Sequence, residues 1–364
     1  AAQSKIIEIN DLDSTPRKIG VIDIPAFYLD FDAYRKGDPD FRSTTRDVAK
    51  LVNELNEAGV DGLVIDLRGN GGGSLREANE LTGLFIEYGP TVQIRGTGSR
   101  VWRDGKRRRG PYYDGPVAIM IDRLSASASE IFAGALQDYG RAIVVGDRSF
   151  GKGTVQTLLD LPEGQLKITE SKFYRISGDS TQHRGVIPDI SYPSLLQHDE
   201  IGESSLDKAL DWDRIAPVRH KDYGVVDAIL PTLVAKHTER ANSDPDFQYI
   251  WDQKALAEKV RGAEVLPLNE AERIAQRTSQ EIQYLAIENT RRQAKGMDAL
   301  ASLDDLVDGD DDSSDMPQDN AEEPSAASED TEADEVDALI TETARILADA
   351  INLSGPVMAR ADSR

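Results

Sequence analysis

The sequence contains no cysteine among its 364 residues, so disulfides, thiolate metal sites and a cysteine nucleophile are excluded. Long apolar runs are missing too, and none approaches the roughly 20 residues that a helix needs to span a bilayer. The first residues lack the basic and apolar pattern of a signal peptide. The opening Ala1-Ala-Gln-Ser-Lys-Ile-Ile-Glu-Ile9 is typical of the end of a strand. We therefore expect residues 1–17 to be a linker, or the remnant of a missing upstream domain.

Lys and Arg, 42 in number, are outnumbered by 65 Asp and Glu, and the formal net charge is −23. From Asp304 to Glu335 there are 15 acidic residues and no Lys or Arg, and removing those 15 charges leaves −8 for the rest. A nucleic-acid partner is not expected, because phosphate contacts need a basic surface. The one basic cluster, Lys106 to Arg109, is flanked by glycines and is predicted to be a solvated hairpin tip.

Short apolar runs alternate with segments of helical spacing over residues 18–145. Gly62-Leu-Val-Ile-Asp-Leu67 is typical of a strand buried on both faces. Residues 46–58 instead carry apolar side chains on one helical stripe, and Gly59 is placed to end that helix. Such alternation predicts an α/β core with a largely parallel sheet. The predicted strands are 18–27, 62–67, 116–122, 142–145, 154–161 and 165–176, and the predicted helices are 46–58, 75–86 and 127–139.

After Pro193 the pattern becomes helical. The acidic tract has too few apolar residues to fold alone and is predicted to be disordered. Residues 336–353 have one apolar side and are predicted to form an amphipathic helix. The other predicted helices are 206–210, 225–237, 248–260 and 270–294. The predicted organisation is a core at 18–195, a helical domain at 196–300, the disordered tract at 301–335, and a helix with a tail at 336–364.

The segment Leu124-Ser-Ala-Ser-Ala-Ser-Glu130 lies between a predicted strand and a predicted helix. A serine at such a junction can expose its hydroxyl above the sheet, beside the unpaired N–H groups of the first helical turn. These groups could stabilise an oxyanion. The alternative interpretation is a helix cap, since Ser127 and Glu130 fit the capping-box pattern. The local pattern alone does not choose among Ser125, Ser127 and Ser129.

A lysine in Phe150-Gly-Lys-Gly-Thr154 follows another predicted core strand. Lys152 can act as a base only if burial or a neighbouring cation lowers its pKa from about 10.4 by a few units. Its alternatives are an ordinary exposed lysine in a glycine turn, or a phosphate ligand, although the fragment lacks the full P-loop spacing. Of the four histidines, only His183 falls in the α/β part, in a polar loop where a general base is conceivable.

A glycine-rich turn, Gly69-Asn-Gly-Gly-Gly-Ser74, follows the strand at 62–67 and precedes a helix. It is similar to the dinucleotide-binding fingerprint except at its last position, but a single match of that kind is weak. A second interpretation is an oxyanion hole built from a glycine N–H together with the N–H of Ala128. A third is simply a tight turn between strand and helix.

Taken together, these stretches resemble the carboxyl-terminal processing peptidases, most closely their bacterial tail-specific branch. Ser-Ala-Ser-Ala-Ser-Glu and Gly-Lys-Gly-Thr at this spacing, with Gly185-Val-Ile-Pro-Asp189, carry the resemblance. It implies a protease core with crotonase- or Clp-like layers of strands and helices. The matching stretches are 62–73, 84–90, 122–140, 144–156 and 173–190, and they cover most of residues 18–192.

The resemblance also implies a role for particular residues. Ser127 would be the nucleophile, Lys152 the base, and Gln156 a residue that orients the lysine. The oxyanion hole would comprise Gly72 and the backbone N–H of Ala128. Asp138 matches an acidic position of the tail-specific branch. It follows Ser127 by eleven residues, or about three helical turns, so both residues should lie on the same face of the helix. Supporting positions are expected at Gly71, Gly73, Glu130 and Ser149.

The implied function is that of a serine endopeptidase that degrades or processes proteins from or near their C-termini, without cofactor or metal. Its implied partners are unfolded or C-terminally apolar proteins and a lipoprotein adaptor, and its implied compartment is the periplasm. Family members carry a PDZ domain that senses the substrate C-terminus, and none is visible in this sequence. A catalytically impaired peptide-binding fragment is therefore one alternative, and a nucleotide-dependent enzyme using the turn at 69–74 is another.

Overall fold

The computed structural model describes residues 1–10, 16–96, 98, 100–106, 110–262, 265–303, 305 and 337–354. The chain divides into two compact units, the first formed by Ala1–Thr238 with Leu339–Arg364 and the second by Glu239–Ala338. Most of the acidic tract, and the arginines of the predicted basic hairpin tip, lie outside the described residues. The domain boundaries given above at 195 and 300 stay predictions. No described helix has the length and apolar character needed to cross a membrane.

The described strands form two sheets. The strands are β1 (Gln3–Ile9), β2 (Arg17–Asp23), β3 (Gly62–Asp66), β4 (Gly89–Gly96), β5 (Val101–Lys106), β6 (Val117–Ile121), β7 (Ile143–Gly146), β8 (Thr154–Asp160), β9 (Gln165–Tyr174) and β10 (Ile190–Ser191). The described helices are α1 (Phe31–Lys36), α2 (Thr44–Glu57), α3 (Leu75–Phe85), α4 (Ala128–Asp138), α5 (Val225–Ser243), α6 (Pro245–Arg261), α7 (Glu270–Ala294) and α8 (Ala338–Ser354).

The larger sheet has the order β1-β2-β3-β6-β7-β10. All of its neighbours are parallel except the pair β1 and β2. Every residue of β3 and of β6 is buried, which explains why these strands are continuous apolar runs. The predicted α/β core with a largely parallel sheet is confirmed.

The first strand was not predicted as part of this sheet. Residues 3–9, expected to belong to a linker, form β1 and pair with β2 from Gln3 opposite Asp23 to Ile9 opposite Arg17. Ile7 and Ile9 are only 8% and 5% exposed, so the alternating isoleucines bury one face of an edge strand.

The smaller sheet is antiparallel, with the order β5-β4-β9-β8. The hairpin of β4 and β5 was not predicted. The described part of β4 pairs with β9 only at Ser171–Tyr174, so the outer part of the β8–β9 hairpin is a two-stranded arm. A bulge between Val155 and Gln156 shifts the register where β8 leaves the loop of the candidate lysine. This bulge determines which β8 side chains share a face with β9.

Helices α2, α3 and α4 supply the buried side chains that cover the larger sheet. Phe132 of α4 is fully buried, and its ring lies 6.1 Å from that of Phe27 and 5.8 Å from that of Phe85. Burying such a ring stabilises the fold by about 1.5–3 kcal/mol. The helix that begins at the candidate serine is thus fixed by its apolar side.

The helices after Pro193 agree with the prediction in four places and disagree in one. Residues 206–210 are not helical, and the short 3-10 turn nearby is Glu203–Ser205. Five residues are too few for the apolar spacing to identify a helix. In the second unit, α6 packs on α7, and Asp246 lies 2.5 Å from Arg291.

The last described helix belongs to the first unit. Thr343 Oγ1 of α8 lies 3.0 Å from the Tyr192 hydroxyl, and Glu342 Oε1 lies 3.0 Å from His237 Nδ1. Leu347 lies so close to Gly62 that a Cβ there would be 3.0 Å from its Cδ2. The predicted amphipathic helix is confirmed, and its apolar face completes the core around β3.

Candidate active site

Ser127 lies directly before α4, at the end of the loop that leaves β6. Its backbone has φ 58° and ψ −106°, a left-handed conformation that a residue with a side chain rarely adopts. Such strain costs on the order of 1–3 kcal/mol and persists only where the surroundings enforce it. The Asp122 carboxylate contributes by accepting hydrogen bonds from the N–H groups of Leu124 and Ser125, each at 3.0 Å. The contacts around the turn therefore hold Ser127 at a positive φ that its own backbone preference disfavours.

The three alternating serines have different surroundings. Ser125 is fully buried and donates to the Leu67 carbonyl at 2.8 Å, and Ser129 is fully buried and donates to the Asn70 carbonyl at 2.8 Å. Only Ser127 of the three lines a cleft, whose volume is roughly 660 Å³. The outer two serines therefore tie the turn to the glycine-rich loop, and the middle hydroxyl is the one that a substrate could reach.

Lys152 lines the same cleft and is half-buried. Its Nζ donates to Gln156 Oε1 at 3.3 Å. Burial lowers the pKa of the Lys152 ammonium, the nearby charge of Lys167 lowers it further, and Glu203 and Glu130 oppose the shift. Within the part of the chain that the structure describes, no hydrogen bond joins Lys152 Nζ to Ser127 Oγ. Burial thus favours the neutral form of Lys152, but its Nζ does not hydrogen-bond to the serine hydroxyl.

Glu130 connects the turn of the serine to the turn of the lysine. One of its oxygens accepts from the backbone N–H of Ser127 at 2.8 Å and of Lys152 at 2.9 Å. The other accepts from the Ser149 hydroxyl at 2.6 Å and the Gly151 N–H at 2.7 Å. Burial raises the pKa of Glu130 to about 7, against the lowering effect of these four donors. The capping-box contact is present, but it is one of four bonds that hold the two turns together.

The glycine-rich turn packs against the start of α4. A Cβ at Gly72 would lie 2.7 Å from the Ala126 carbonyl oxygen and 2.9 Å from Ser127 Cβ, so only glycine fits there. The N–H of Ala128 donates to none of the described residues, as expected for the first residue of a helix. The N–H of Gly72, by contrast, donates to Asn70 Oδ1 at 2.9 Å. Of the two predicted oxyanion donors, one is therefore available and the other is engaged.

Asn70 is a site residue that the sequence reasoning missed. It is fully buried, its Nδ2 donates to the Ile24 carbonyl at 2.7 Å, and its own carbonyl accepts from the Ala126 N–H at 2.9 Å. It thereby joins β2, the glycine turn and the start of α4. An asparagine between two glycines is a sequence signal for this role, because its amide can bond nearby backbone groups.

Two predicted supporting glycines differ in their surroundings. Gly71 has open space around the position of a Cβ, whereas at Gly73 a Cβ would lie 2.2 Å from the Phe27 carbonyl oxygen. Both line the cleft. Gly73 therefore permits the close approach of the turn to the segment after β2, and Gly71 leaves the floor of the cleft open.

Asp138 does not lie at the cleft. It ends α4, and its carboxylate is 2.5 Å from an Arg175 guanidinium nitrogen and accepts from the Ser177 N–H at 3.2 Å. Eleven residues at about 1.5 Å each place it roughly 16 Å along the helix from Ser127. The predicted shared helix face does not bring the two side chains together in this structure, and a catalytic role for Asp138 stays a prediction.

No histidine lines the cleft in the described part of the chain. The four are held elsewhere: the His183 N–H donates to the Gly151 carbonyl, His198 lies beside Asp147, His220 contacts the Asp138 carbonyl, and His237 contacts Glu342. The described residues also contain no cluster of three or more side chains suited to hold a metal ion. Lys152 therefore remains a candidate base among the titratable side chains that line the cleft.

Comparison with known proteins agrees with this arrangement. Residues 18–192 match the model of peptidase family S41, and the chain belongs to that family. Residues 196–352 match the model described as the C-terminal domain of tail specific protease. Both matches follow the resemblance that the serine and lysine segments indicated.

Individual proteins are similar to parts of this chain. The chain is 38% identical over 302 residues to a tail-specific protease of Haemophilus influenzae, covering 80% of this chain and 42% of that protein. It is 44% identical over 131 residues to a carboxy-terminal-processing protease of Bartonella bacilliformis, covering 35% of this chain and 30% of that protein. A solved photosystem II D1 C-terminal processing protease is 26% identical with a TM-score of 0.44, covering 54% of this chain and 50% of that one. The chain thus spans less than half the length of these curated relatives.

Proposed function

We propose that this chain is a serine endopeptidase in which Ser127 is the nucleophile and Lys152 the general base. The observation that carries the proposal is the placement of both side chains in one cleft, with their backbones bonded to the same oxygen of Glu130. An activated nucleophile needs a neighbouring base that a further group holds in place. Glu130 is such a holding group, because it binds the turn of Ser127 and the turn of Lys152 at the same time.

The proposed reaction begins with Lys152 in its neutral form. Nζ takes the proton of Ser127 Oγ as the oxygen attacks the carbonyl carbon of a peptide bond, giving a tetrahedral oxyanion. Collapse of this intermediate breaks the C–N bond, and Lys152 returns the proton to the leaving amine. Water, deprotonated by the same lysine, then hydrolyses the ester on Ser127 and regenerates the hydroxyl.

The oxyanion would be stabilised by the unpaired Ala128 N–H at the start of α4, where the helix dipole also favours negative charge. Gly72 would supply a second donor once its N–H leaves Asn70 Oδ1. Gln156 would keep Lys152 Nζ pointing into the cleft through its present hydrogen bond. Removing one such donor from an oxyanion hole typically costs about 10²–10³ in kcat.

The substrate would be an extended polypeptide with an apolar tail. The cleft is lined by apolar side chains between the serine and the open edge of β8, including Ile131, Val155 and Phe173. An extended chain lying along a strand edge forms mainly main-chain hydrogen bonds, which makes selectivity for sequence loose. Cleavage from or near the C-terminus, a periplasmic location and a lipoprotein adaptor belong to the same proposal, and they are supported by the family similarity.

Cleavage of an unstructured protein with an apolar C-terminus tests the proposal. Ser127→Ala and Lys152→Ala should each reduce the rate at least about 10³-fold, because either change removes the dyad as a unit. Lys50→Ala is a matched control, since Lys50 is exposed on α2 and makes only a 3.8 Å ion pair with Glu54. Undiminished cleavage by either dyad variant would refute the assignment. Retention of the substrate by the unmutated chain without turnover would favour the peptide-binding alternative.

A further inference from the structure

Lys167 is a cation that remains without a counter-charge beside the candidate base. It lies on β9 and lines the same cleft as Ser127 and Lys152. Arg76, the other cleft cation apart from the base, is 2.7 Å from Glu80. Among the described residues, Lys167 Nζ has neither a carboxylate nor a hydrogen-bond partner. An unpaired ammonium in a protease cleft therefore needs an explanation.

Strand register places this ammonium close to the atoms that hold the base. Gln156 opposes Thr169 across the β8–β9 pair, and Leu158 opposes Lys167. Because side chains alternate along a strand, Lys167 and Gln156 share one face and are diagonal neighbours, roughly 7–8 Å apart at their backbones. Gln156 Oε1 in turn accepts from Lys152 Nζ at 3.3 Å. The Lys167 side chain is long enough to bring its charge near Lys152 from this position.

Two carboxyl groups near Lys152 act against Lys167. From α4 and from the 3-10 turn, the carboxyl groups of Glu130 and Glu203 favour the charged ammonium, whereas Lys167 on β9 disfavours it. Arg76 of α3 and Asp104 of β5 also line the cleft, with opposite charges. Burial is the largest cause of the lowered pKa of Lys152, and Lys167 is the next.

We propose that Lys167 is a positioning residue for the proposed reaction, whose unpaired charge keeps Lys152 neutral while a substrate occupies the cleft. A like charge disfavours the protonated form of its neighbour. Lys167 is exposed in the free protein, where water and salt screen it. A polypeptide lying over the β8–β9 face would exclude water and strengthen the repulsion. The effect should therefore be larger in the complex than in the free protein.

This inference rests on the proposed function, and the pH dependence of cleavage tests it. An internally quenched peptide without charged residues would be cleaved by the unmutated chain, Lys167→Gln, Lys167→Arg and the surface control Lys50→Gln. Loss of the Lys167 charge should move the acid limb of the kcat profile to higher pH. At the pH where the unmutated chain is half-maximal, roughly a two- to tenfold loss is expected, because each pH unit changes the neutral fraction of a lysine tenfold.

Three further results would separate an electrostatic role from a structural one. The kcat profile reports the complex and the kcat/KM profile the free protein, so Lys167→Gln should move the kcat limb further. Lys167→Arg should restore the profile because it keeps the charge. Raising the salt concentration should move the kcat/KM limb of the unmutated chain upward more than that of Lys167→Gln. A higher KM with unchanged pH profiles would overturn the proposal and assign Lys167 to substrate binding.

A measurement without turnover makes the two proposals distinguishable. In the Ser127→Ala background with the uncharged peptide bound, trace acetylation with acetic anhydride modifies only neutral amines, and mass spectrometry of the Lys152 peptide then reports its titration. Adding Lys167→Gln should move this titration to higher pH. An unchanged titration curve would refute the role of Lys167 whether or not the chain cleaves peptides. A shifted curve in a chain that does not cleave would instead retain this role and refute the peptidase assignment.

Discussion

Replacing Glu130 by glutamine tests how the two turns of the candidate site are held together. Near pH 5 the folded carboxyl group is protonated, because burial raises its pKa to about 7. A protonated carboxyl group can donate to the Ser149 hydroxyl and still accept from the Gly151 N–H, whereas an amide NH₂ in that place cannot accept. One buried N–H is left unpaired, and the free energy of unfolding should fall by about 1–3 kcal/mol.

The pH dependence of this difference has a definite sign. Between about pH 4.5 and 7 the folded chain keeps a proton on Glu130 that the unfolded chain has released, so the free energy of unfolding falls as the pH rises. The contribution of Glu130 is fully present below the unfolded pKa and is lost as the pH rises through about 7. Glu130→Gln lacks this slope, so its difference from the unmutated chain should narrow between pH 5 and pH 8.

Urea unfolding followed by circular dichroism at several pH values measures both effects. Glu77→Gln is a matched control, because Glu77 occupies the same position in the first turn of α3 and is also fully buried. Its Oε2 accepts from Ser43 and Thr45, while Oε1 has no hydrogen-bond partner in the described part of the chain. An amide can place its NH₂ there, so the control should change stability by less than about 1 kcal/mol. A Glu130→Gln penalty below about 0.5 kcal/mol at pH 5, or one that widens with pH, would refute the reasoning.

Three other substitutions separate contacts from chemistry. Gly72→Ala should lower the free energy of unfolding by about 2–4 kcal/mol in urea titrations and abolish cleavage. The reason is that the new Cβ would lie 2.7 Å from a backbone oxygen, at a residue whose φ is 103°. Gly71→Ala is the control: a Cβ there enters open space, so stability and cleavage should both change little. Asp138→Asn should lower the free energy of unfolding by about 1–3 kcal/mol, because it breaks a partly buried ion pair with Arg175. The kcat of the folded protein should stay within about threefold of the unmutated value. A large loss of kcat without a loss of stability would contradict this. Gln156→Ala should reduce kcat/KM about three- to tenfold with unchanged stability, since one hydrogen bond to the base is lost.

Much of the α/β core was predictable because its strands and helices carry their own patterns. Residues 62–66 and 117–121 are largely apolar runs, and they form strands in which every residue is buried. β4 was not predicted, and β1 was interpreted as the end of a strand without a place in this sheet. An edge strand such as β1 gains its structure from its neighbour, and only Ile7 and Ile9 signal the buried side. The helix predicted at residues 206–210 does not form, because so short a segment is not a stable helix without support from tertiary packing.

The family resemblance named the candidate site residues, whose roles stay predictions, but it did not indicate the contacts between them. The sequence placed Ser127 and Lys152 near each other through family resemblance, while the local pattern preferred a simple cap. No spacing rule indicates that one oxygen of Glu130 binds both turns, or that the Gly72 N–H is occupied by Asn70. Such contacts depend on how loops from three strands meet, and sequence periodicity carries no information about that.

The return of α8 to the first unit has a consequence for the order of synthesis. Leu347 covers Gly62, yet about 100 residues of the second unit are translated between Thr238 and Leu339. At about 5–20 residues per second, the ribosome needs roughly 5–20 s to make that stretch. During this interval the apolar surface of β3 lacks its last helix on the nascent chain. The sheet that supports the cleft therefore lacks this cover until α8 has been synthesised, and chaperones have those seconds in which to protect its uncovered face.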